Sequence, residues 1–302
     1  MTLTESWFKT IKRNIKLASH AGFCYGVKRA VDSTKKLKSD NKNKNISILG
    51  ELIHNSHVIS ELETLGIKTL KELPQKGEGI CIVRSHGESP QTFDKILSCG
   101  FELVDLTCFD VKKVQQKAQE LVLGQYFVII LGKKEHPEVK AIRANALKCA
   151  KSSDSVFVAS SIQELQQIEE TLKKQKKVGV VLQTTQTKEY LFEVVDYLMG
   201  VCKILKIENT ICPSTSLRQQ EAKKLALESD LMVVVGSKKS ANTTHLAELL
   251  KDITKTIHIE DDIELDNYKK LISTAQNIGV TAGASTPDNI INKVINKLER
   301  IN

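Results

Sequence analysis

Seven cysteines occur in the 302-residue chain and no two of them form a Cys-x-x-Cys pair. The local signatures of zinc fingers, thioredoxin-like redox sites and ferredoxin-type clusters are therefore absent. Three cysteines nonetheless share a setting. Cys24 lies in HAGFCYGV ahead of VKRAVDSTKKLK, Cys108 in DLTCFDV ahead of VKKVQQKAQELV, and Cys212 in NTICPST ahead of SLRQQEAKKLALE. Each stands at a strand-to-helix junction, where a helix N-terminus favours a thiolate by roughly 0.3–1 kcal/mol. Three converging thiolates suit an iron–sulfur cluster or a tetrahedral zinc ion, and spacing alone does not separate the two. A cubane cluster held by three cysteines leaves one iron open, which points to catalysis over simple electron transfer. Cys81, Cys99, Cys149 and Cys202 read as small buried or half-buried hydrophobes.

The elements that position these cysteines alternate along the chain. ISIL, ICIV, ELVDL, YFVIIL, SVFVA, VGVVL, KILKI, LMVVV, TIHI and IGVTA are strand candidates, separated by amphipathic segments such as NSHVISELETLG and HPEVKAIRANALK. Gly66, Gly100 and Gly124 stand where helix C-caps belong, and Ser89-Pro90 and Thr286-Pro287 read as N-cap plus first-turn pairs. The alternation predicts an α/β fold with parallel sheets, whose ligands bind beyond the carboxyl ends of the strands. His54 follows ISIL, His86 follows ICIV, and His136 and Glu138 follow YFVIIL; QTTQT, GSKKSAN and GASTPD follow three further strands. Imidazole, hydroxyl and amide donors beside exposed backbone N–H groups suit a phosphate or diphosphate. Neither Gly-x-x-x-x-Gly-Lys-Ser/Thr nor Gly-x-Gly-x-x-Gly occurs, so the anion is not read as a nucleotide. His20, His57, His245 and His258 read as ordinary helix-surface or strand histidines.

The chain exceeds the length at which one core stops growing, and its 41% apolar and 26% charged residues are those of a soluble globular protein. The cysteine separations of 84 and 104 residues each match one small α/β unit. The longest apolar runs, Tyr126 to Leu131 and Leu231 to Val235, are too short to span a bilayer. MTLTESWFKTIKRNIKL lacks an apolar secretory region, so a cytoplasmic location is expected. The net charge of +8 comes from 44 basic residues of which only six are arginines, and aromatics are 5%. Without clustered arginine and aromatics, a nucleic-acid partner is not expected; the field suits a small anion or an acidic protein. A regulatory iron–sulfur or zinc protein on nucleic acid predicts those missing clusters. A metal-free hydrolase or transferase has no use for the junction cysteines.

GFCYGV, HN after a strand, SHG, TC before a helix, HPE, QTT, IC before a Ser/Thr-rich helix start, GSKKSAN and TAGAS, in this order, closely resemble the 4-hydroxy-3-methylbut-2-enyl diphosphate reductase family, the iron–sulfur enzymes of the last step of the non-mevalonate isoprenoid route. The resemblance runs from about Ile15 to the final helix. It implies three pseudo-symmetric α/β lobes, trefoil-like, around a central 4Fe-4S cluster held by Cys24, Cys108 and Cys212 with one open iron. The lobes are expected at 15–107 with Cys24, at 108–205 with Cys108 and at 206–285 with Cys212, the helix at 286–302 packing with the first. It further implies that His54, His86, Ser240, Ala241, Asn242 and Ser285 hold an allylic diphosphate, assisted by His136 and Thr184. Glu138 with Thr184 would deliver protons, His136 assisting, while the substrate hydroxyl sits on the unique iron. The implied reaction is reductive dehydroxylation to isopentenyl and dimethylallyl diphosphates, with ferredoxin or flavodoxin as electron donor. Glu138 must then be protonated near neutral pH, and the negative charge of diphosphate and cluster is expected to outweigh the helix start beside it. The chain departs from the family pattern at Ala241, where a second serine is usual and the backbone N–H must serve. It departs also at Glu135, where glycine is common, and at Phe109, where proline is frequent and only packing is expected to change.

Overall fold

The computed structural model describes residues 13–301. Residues 1–12, most of the stretch read above for a secretory region, lie outside them. The described chain folds into three parallel sheets of four strands each, flanked by helices. Its contacts divide it into two compact units, residues 23–216 and residues 13–22 with 217–301. The first unit holds two sheets. One runs Ile67–Leu70, Ile46–Leu49, Ile80–Val83, Glu102–Asp105 across its width; the other runs Val156–Ala159, Phe127–Leu131, Val178–Leu182, Leu205–Ile207. The second unit holds the sheet Thr256–Ile259, Leu231–Val235, Asn277–Ala282, Asn14–Leu17.

All three sheets have one topology. The first strand is central, the second lies outside it, and the third and fourth follow on the other side. Central strands such as Ile80–Val83, Phe127–Leu131 and Leu231–Val235 are buried at every position because helices cover both faces, which is why their sequences are unbroken apolar runs. Apolar clusters lie on both sides of the sheet in the second unit, around Leu231, Val233 and Val280 on one face and Met232, Val234 and Leu246 on the other.

The fourth strand of the last sheet comes from the start of the chain: Asn14–Leu17 pairs with Asn277–Val280 of the strand ending at Ala282. This corrects the expected lobe boundaries. Residues 14–17 complete the third sheet, not the first, and the helix Asp288–Arg300 buries Ile290, Ile291, Val294 and Leu298 against that third sheet. The boundary expected at 205 falls inside the strand Leu205–Ile207. The strands at Asn14–Leu17 and Ile67–Leu70 were not anticipated; both are edge strands with exposed positions and no continuous apolar run.

Local punctuation largely follows the sequence. Ser89 caps the helix Pro90–Ser98 by accepting from the Thr92 N–H at 3.1 Å. Gly66 and Gly100 take positive φ just beyond their helices, whereas after Phe109–Leu123 the left-handed turn falls on Gln125, φ 59°, and not on Gly124. Thr286 is not an N-cap: its hydroxyl donates to the Val235 carbonyl at 3.0 Å, and the helix starts at Asp288. No helix among the described residues is long and apolar enough to cross a membrane.

Candidate active site

With this strand order the crevice of each sheet opens between the ends of the first and third strands, where the connections diverge to opposite faces. Every residue predicted to bind or catalyse follows one of those strands. His54 and His86 follow the first and third strands of the first sheet; His136 and Glu138 follow the first of the second sheet, and Thr184 follows its third. Ser240, Ala241 and Asn242 follow the first strand of the last sheet, and Ser285 its third. The three cysteines occupy a second shared address, after the fourth strand and at the N-cap of the next helix for Cys24 and Cys108. Cys212 directly precedes the helix Pro213–Leu227.

Within Phe23–Ser216 the three imidazoles meet. Ring centroids lie 4.6 Å apart for His54 and His86, 5.8 Å for His54 and His136, and 5.5 Å for His86 and His136. His54 Nδ1 lies 3.0 Å from Glu51 Oε2. His136 Nδ1 accepts from the Glu138 N–H at 3.2 Å, so its neutral ring carries the proton on Nε2 and presents it as a donor. Burial, then the neighbouring His54 and His136, push the pKa of His86 well below the ordinary histidine value, and its ring is neutral.

Glu138 begins the helix Pro137–Lys148 and is only 2% exposed. Its Oε1 accepts from the Thr184 N–H at 2.6 Å and its Oε2 from the Thr184 hydroxyl at 2.8 Å. Its pKa is pushed up to about 7. Burial is the main cause, opposed by the two Thr184 hydrogen bonds, with Asp110 adding like-charge repulsion. The expected upward direction is present, but removal from water drives it before any anion is considered. Glu135 pairs with Lys140 at 2.6 Å on a side chain that is 89% exposed, and so carries its charge outward.

The three cysteines cluster around Gly26 and Asp110. A Cβ on Gly26 would fall 2.6 Å from Cys108 Sγ, so glycine is what leaves room for that sulfur, and 3.9 Å from Cys24 Sγ, an ordinary contact. Gly26→Ala is accordingly expected to destabilise the fold by about 1–3 kcal/mol in urea denaturation; an unchanged midpoint would show that Cys108 turns aside freely. The Cys212 thiol donates to Asp110 Oδ2 at 2.8 Å, and the same oxygen accepts from the Tyr25 hydroxyl. Burial raises the pKa of Cys108 and, together with Asp110, takes Cys212 to about 12. The helix-start N–H groups lower both, in the direction expected of a helix N-terminus, and burial outweighs them. These are neutral thiols that a bound metal would deprotonate. Three cysteine thiols brought to one region are the sulfur donor set that an iron–sulfur cluster or a zinc ion takes. Ligand atoms of His54, His86 and His136, one from each, lie within 4.8 Å of one another.

Asp110 and Tyr25 were missed by the sequence reading. An acidic residue in the first turn of a helix is common, and nothing local in TCFDV reveals that its partners are Tyr25 and Cys212. The remaining cysteines keep their packing role. Cys81 is fully buried beside Val83 and Ile96, Cys149 and Cys202 pack against apolar clusters, and Cys99 donates to the Pro74 carbonyl at 3.2 Å. His258 lies 2.8 Å from the Gly236 carbonyl and His20 2.8 Å from Glu221, as ordinary structural histidines do.

In the second unit, Ser240 is the N-cap of the helix Ala241–Lys251 but makes no side-chain cap bond. The N–H groups of its first turn point out of the helix unpaired by that cap. Asn242 is 7% exposed and its Nδ2 has no hydrogen-bond partner among the described residues. Ser285 is 6% exposed. A buried amide donor left over at a helix start is what an anion would satisfy.

A family model described as LytB protein matches residues 15–299. A protein of Syntrophotalea carbinolica named 4-hydroxy-3-methylbut-2-enyl diphosphate reductase is 38% identical over 285 residues, covering 94% of this chain and 98% of its own length. One of the same name from Clostridium tetani is 39% identical over 293 residues, 96% of this chain, which spans only 44% of that relative. The solved structure of (E)-4-hydroxy-3-methyl-but-2-enyl diphosphate reductase, the terminal enzyme of the non-mevalonate pathway, aligns with a TM-score of 0.69 at 37% identity. The alignment covers 96% of this chain and 100% of that one. A match over almost the whole chain places the protein in the LytB family of 4-hydroxy-3-methylbut-2-enyl diphosphate reductases, which are oxidoreductases.

Proposed function

We propose that the protein reduces 4-hydroxy-3-methylbut-2-enyl diphosphate to isopentenyl and dimethylallyl diphosphates. Two electrons and two protons are consumed and the allylic hydroxyl leaves as water. The observation that carries this reading is the recurrence of a cysteine after the fourth strand of every sheet, with the sulfurs of Cys24 and Cys108 sharing the space over Gly26 and Cys212 beside Asp110. These three thiols would hold a 4Fe-4S cluster with one open iron, supplying electrons and a Lewis acid. Ferredoxin or flavodoxin is the proposed electron donor.

The chain's own residues do the rest. His136 offers its Nε2–H, and His54 and His86 line the same group of rings; Ser240, the Ala241 N–H, Asn242 and Ser285 are proposed as the other diphosphate partners. Glu138 supplies the proton that lets the hydroxyl leave as water. With a pKa of about 7 it is half protonated at neutral pH, and a bound diphosphate would raise that fraction. When Glu138 is protonated on Oε2 it donates to the Thr184 hydroxyl, whose own hydrogen is then free for an acceptor beyond it. The Thr184 N–H on Oε1 fixes the carboxyl plane throughout.

Anaerobically purified protein should be coloured, contain iron and acid-labile sulfide, and turn over the allylic diphosphate with dithionite as reductant. An active preparation free of iron would end this reading.

A further inference from the structure

We infer that the exposed ring surface made by Tyr25, Phe109 and Arg29 is the docking site of a small acidic electron-carrier protein. The inference rests on the iron–sulfur reading above and adds where the electrons enter. Tyr25 and Phe109 are each the first residue of a helix capped by one of the cysteines. They are 49% and 61% exposed, and the other aromatic among the exposed large hydrophobics is Phe192. Phe109 thus does more than change packing: most of its ring faces solvent directly beside Cys108.

This surface is organised before any partner arrives. The Arg29 guanidinium lies 4.3 Å from the centroid of the Phe109 ring. Its Nη2 donates to the Thr107 carbonyl at 2.6 Å and the Leu106 carbonyl at 3.3 Å, which holds it there. The Tyr25 hydroxyl is tied to Asp110. Fixed aromatic and arginine side chains are the groups that dominate protein interfaces, because little rotamer entropy is lost on binding.

Charge selects the partner. The first two turns of these helices carry Lys28, Arg29, Lys112 and Lys113 against Asp32 and Asp110. Helical spacing sets Lys28 and Arg29 one turn beyond Tyr25, and Lys112 and Lys113 one turn beyond Phe109. Lys112 is paired with Asp105 at 2.6 Å and Asp110 holds the Tyr25 hydroxyl and the Cys212 thiol, so Lys28, Arg29 and Lys113 carry the positive charge on offer. An acidic carrier is therefore attracted to this end of the helices. Electron transfer weakens steeply with distance, so the carrier must dock beside the ligating thiols, where these rings are. Each encounter moves one electron from the reduced carrier to the enzyme, and two encounters supply one turnover without any bond being made or broken at the interface.

The test titrates anaerobic holoenzyme with an oxidised, acidic ferredoxin and reads the dissociation constant. Phe109→Ala is expected to weaken binding about tenfold and to raise KM for reduced ferredoxin similarly, with iron content and dithionite-driven kcat unchanged. Lys113→Glu should weaken binding near 50 mM salt, the difference closing by about 500 mM. The same charge change at Lys174, in the helix Glu169–Lys174, should leave affinity unaltered. Wild-type ferredoxin affinity in both Phe109→Ala and Lys113→Glu, or equal loss in Lys174→Glu, overturns the proposal. A wild-type enzyme without iron or dithionite-driven turnover would instead overturn the reductase reading beneath it.

Discussion

In the cluster-loaded enzyme, Glu138→Gln is expected to lower kcat about 10²–10⁴-fold, the usual contribution of a positioned general acid, with iron content and KM near wild type. The substitution keeps the shape of the site. The glutamine oxygen still accepts from the Thr184 N–H, and its amide donates to the Thr184 hydroxyl where the carboxylate accepted. Only the transferable proton is removed. Because Glu138 titrates near 7 in the free enzyme, wild-type kcat/KM should be sustained below that pH and fall as pH rises through it; the glutamine variant should lack this alkaline fall. Stability moves the same way with pH. A carboxyl whose folded pKa is raised from 4.5 to about 7 binds more protons folded than unfolded between those values, so stability declines as pH rises across that window. Glu138→Gln should therefore be more stable than wild type at pH 8, by up to about 3 kcal/mol, and gain little at pH 4. Turnover at the wild-type rate would remove Glu138 as the acid. Equal denaturation midpoints at pH 8 would remove burial as the reason for its raised pKa.

Changing Cys24, Cys108 or Cys212 to serine is expected to strip most iron and sulfide from anaerobic preparations and abolish turnover, each alone. A hydroxyl does not deprotonate at a metal as a thiol does, and three ligands leave no spare. Cys99→Ser, Cys149→Ser and Cys202→Ser should retain wild-type iron, since their sulfurs face packing partners or the Pro74 carbonyl. Cys81→Ala should also keep iron, although its fully buried site among Leu49, Val83 and Phe101 makes some loss of stability certain. Iron loss at any of those four as large as at Cys24 would break the argument from a shared structural address, as would full iron in any of the three serine variants.

The parts of the fold legible in the sequence were those whose signal is local. Ile80–Val83, Phe127–Leu131 and Leu231–Val235 are buried on both faces, so each is an unbroken apolar run that one window of sequence reveals. Asn14–Leu17 is an exposed edge strand whose place depends on pairing with Asn277–Val280, at the far end of the chain. Nothing within NIKL records that partner, and the first lobe was drawn around it wrongly for that reason. The cysteine address was legible because strand, cysteine and helix are adjacent in sequence. The residue that joins two of those helix starts, Asp110, was not.

By itself the sequence determined the α/β alternation, the polar character of the strand ends and the three cysteines set before helices, because hydrophobic periodicity and helix starts are short-range properties. The tertiary structure alone decided which strand completes the third sheet, that His54, His86 and His136 gather into one group, and that Glu138 is buried against Thr184. It also decided that burial sets the pKa of Glu138 and leaves Cys108 and Cys212 as thiols. Solvent exclusion and pairing are sums over residues far apart in the chain, and no window of sequence contains them.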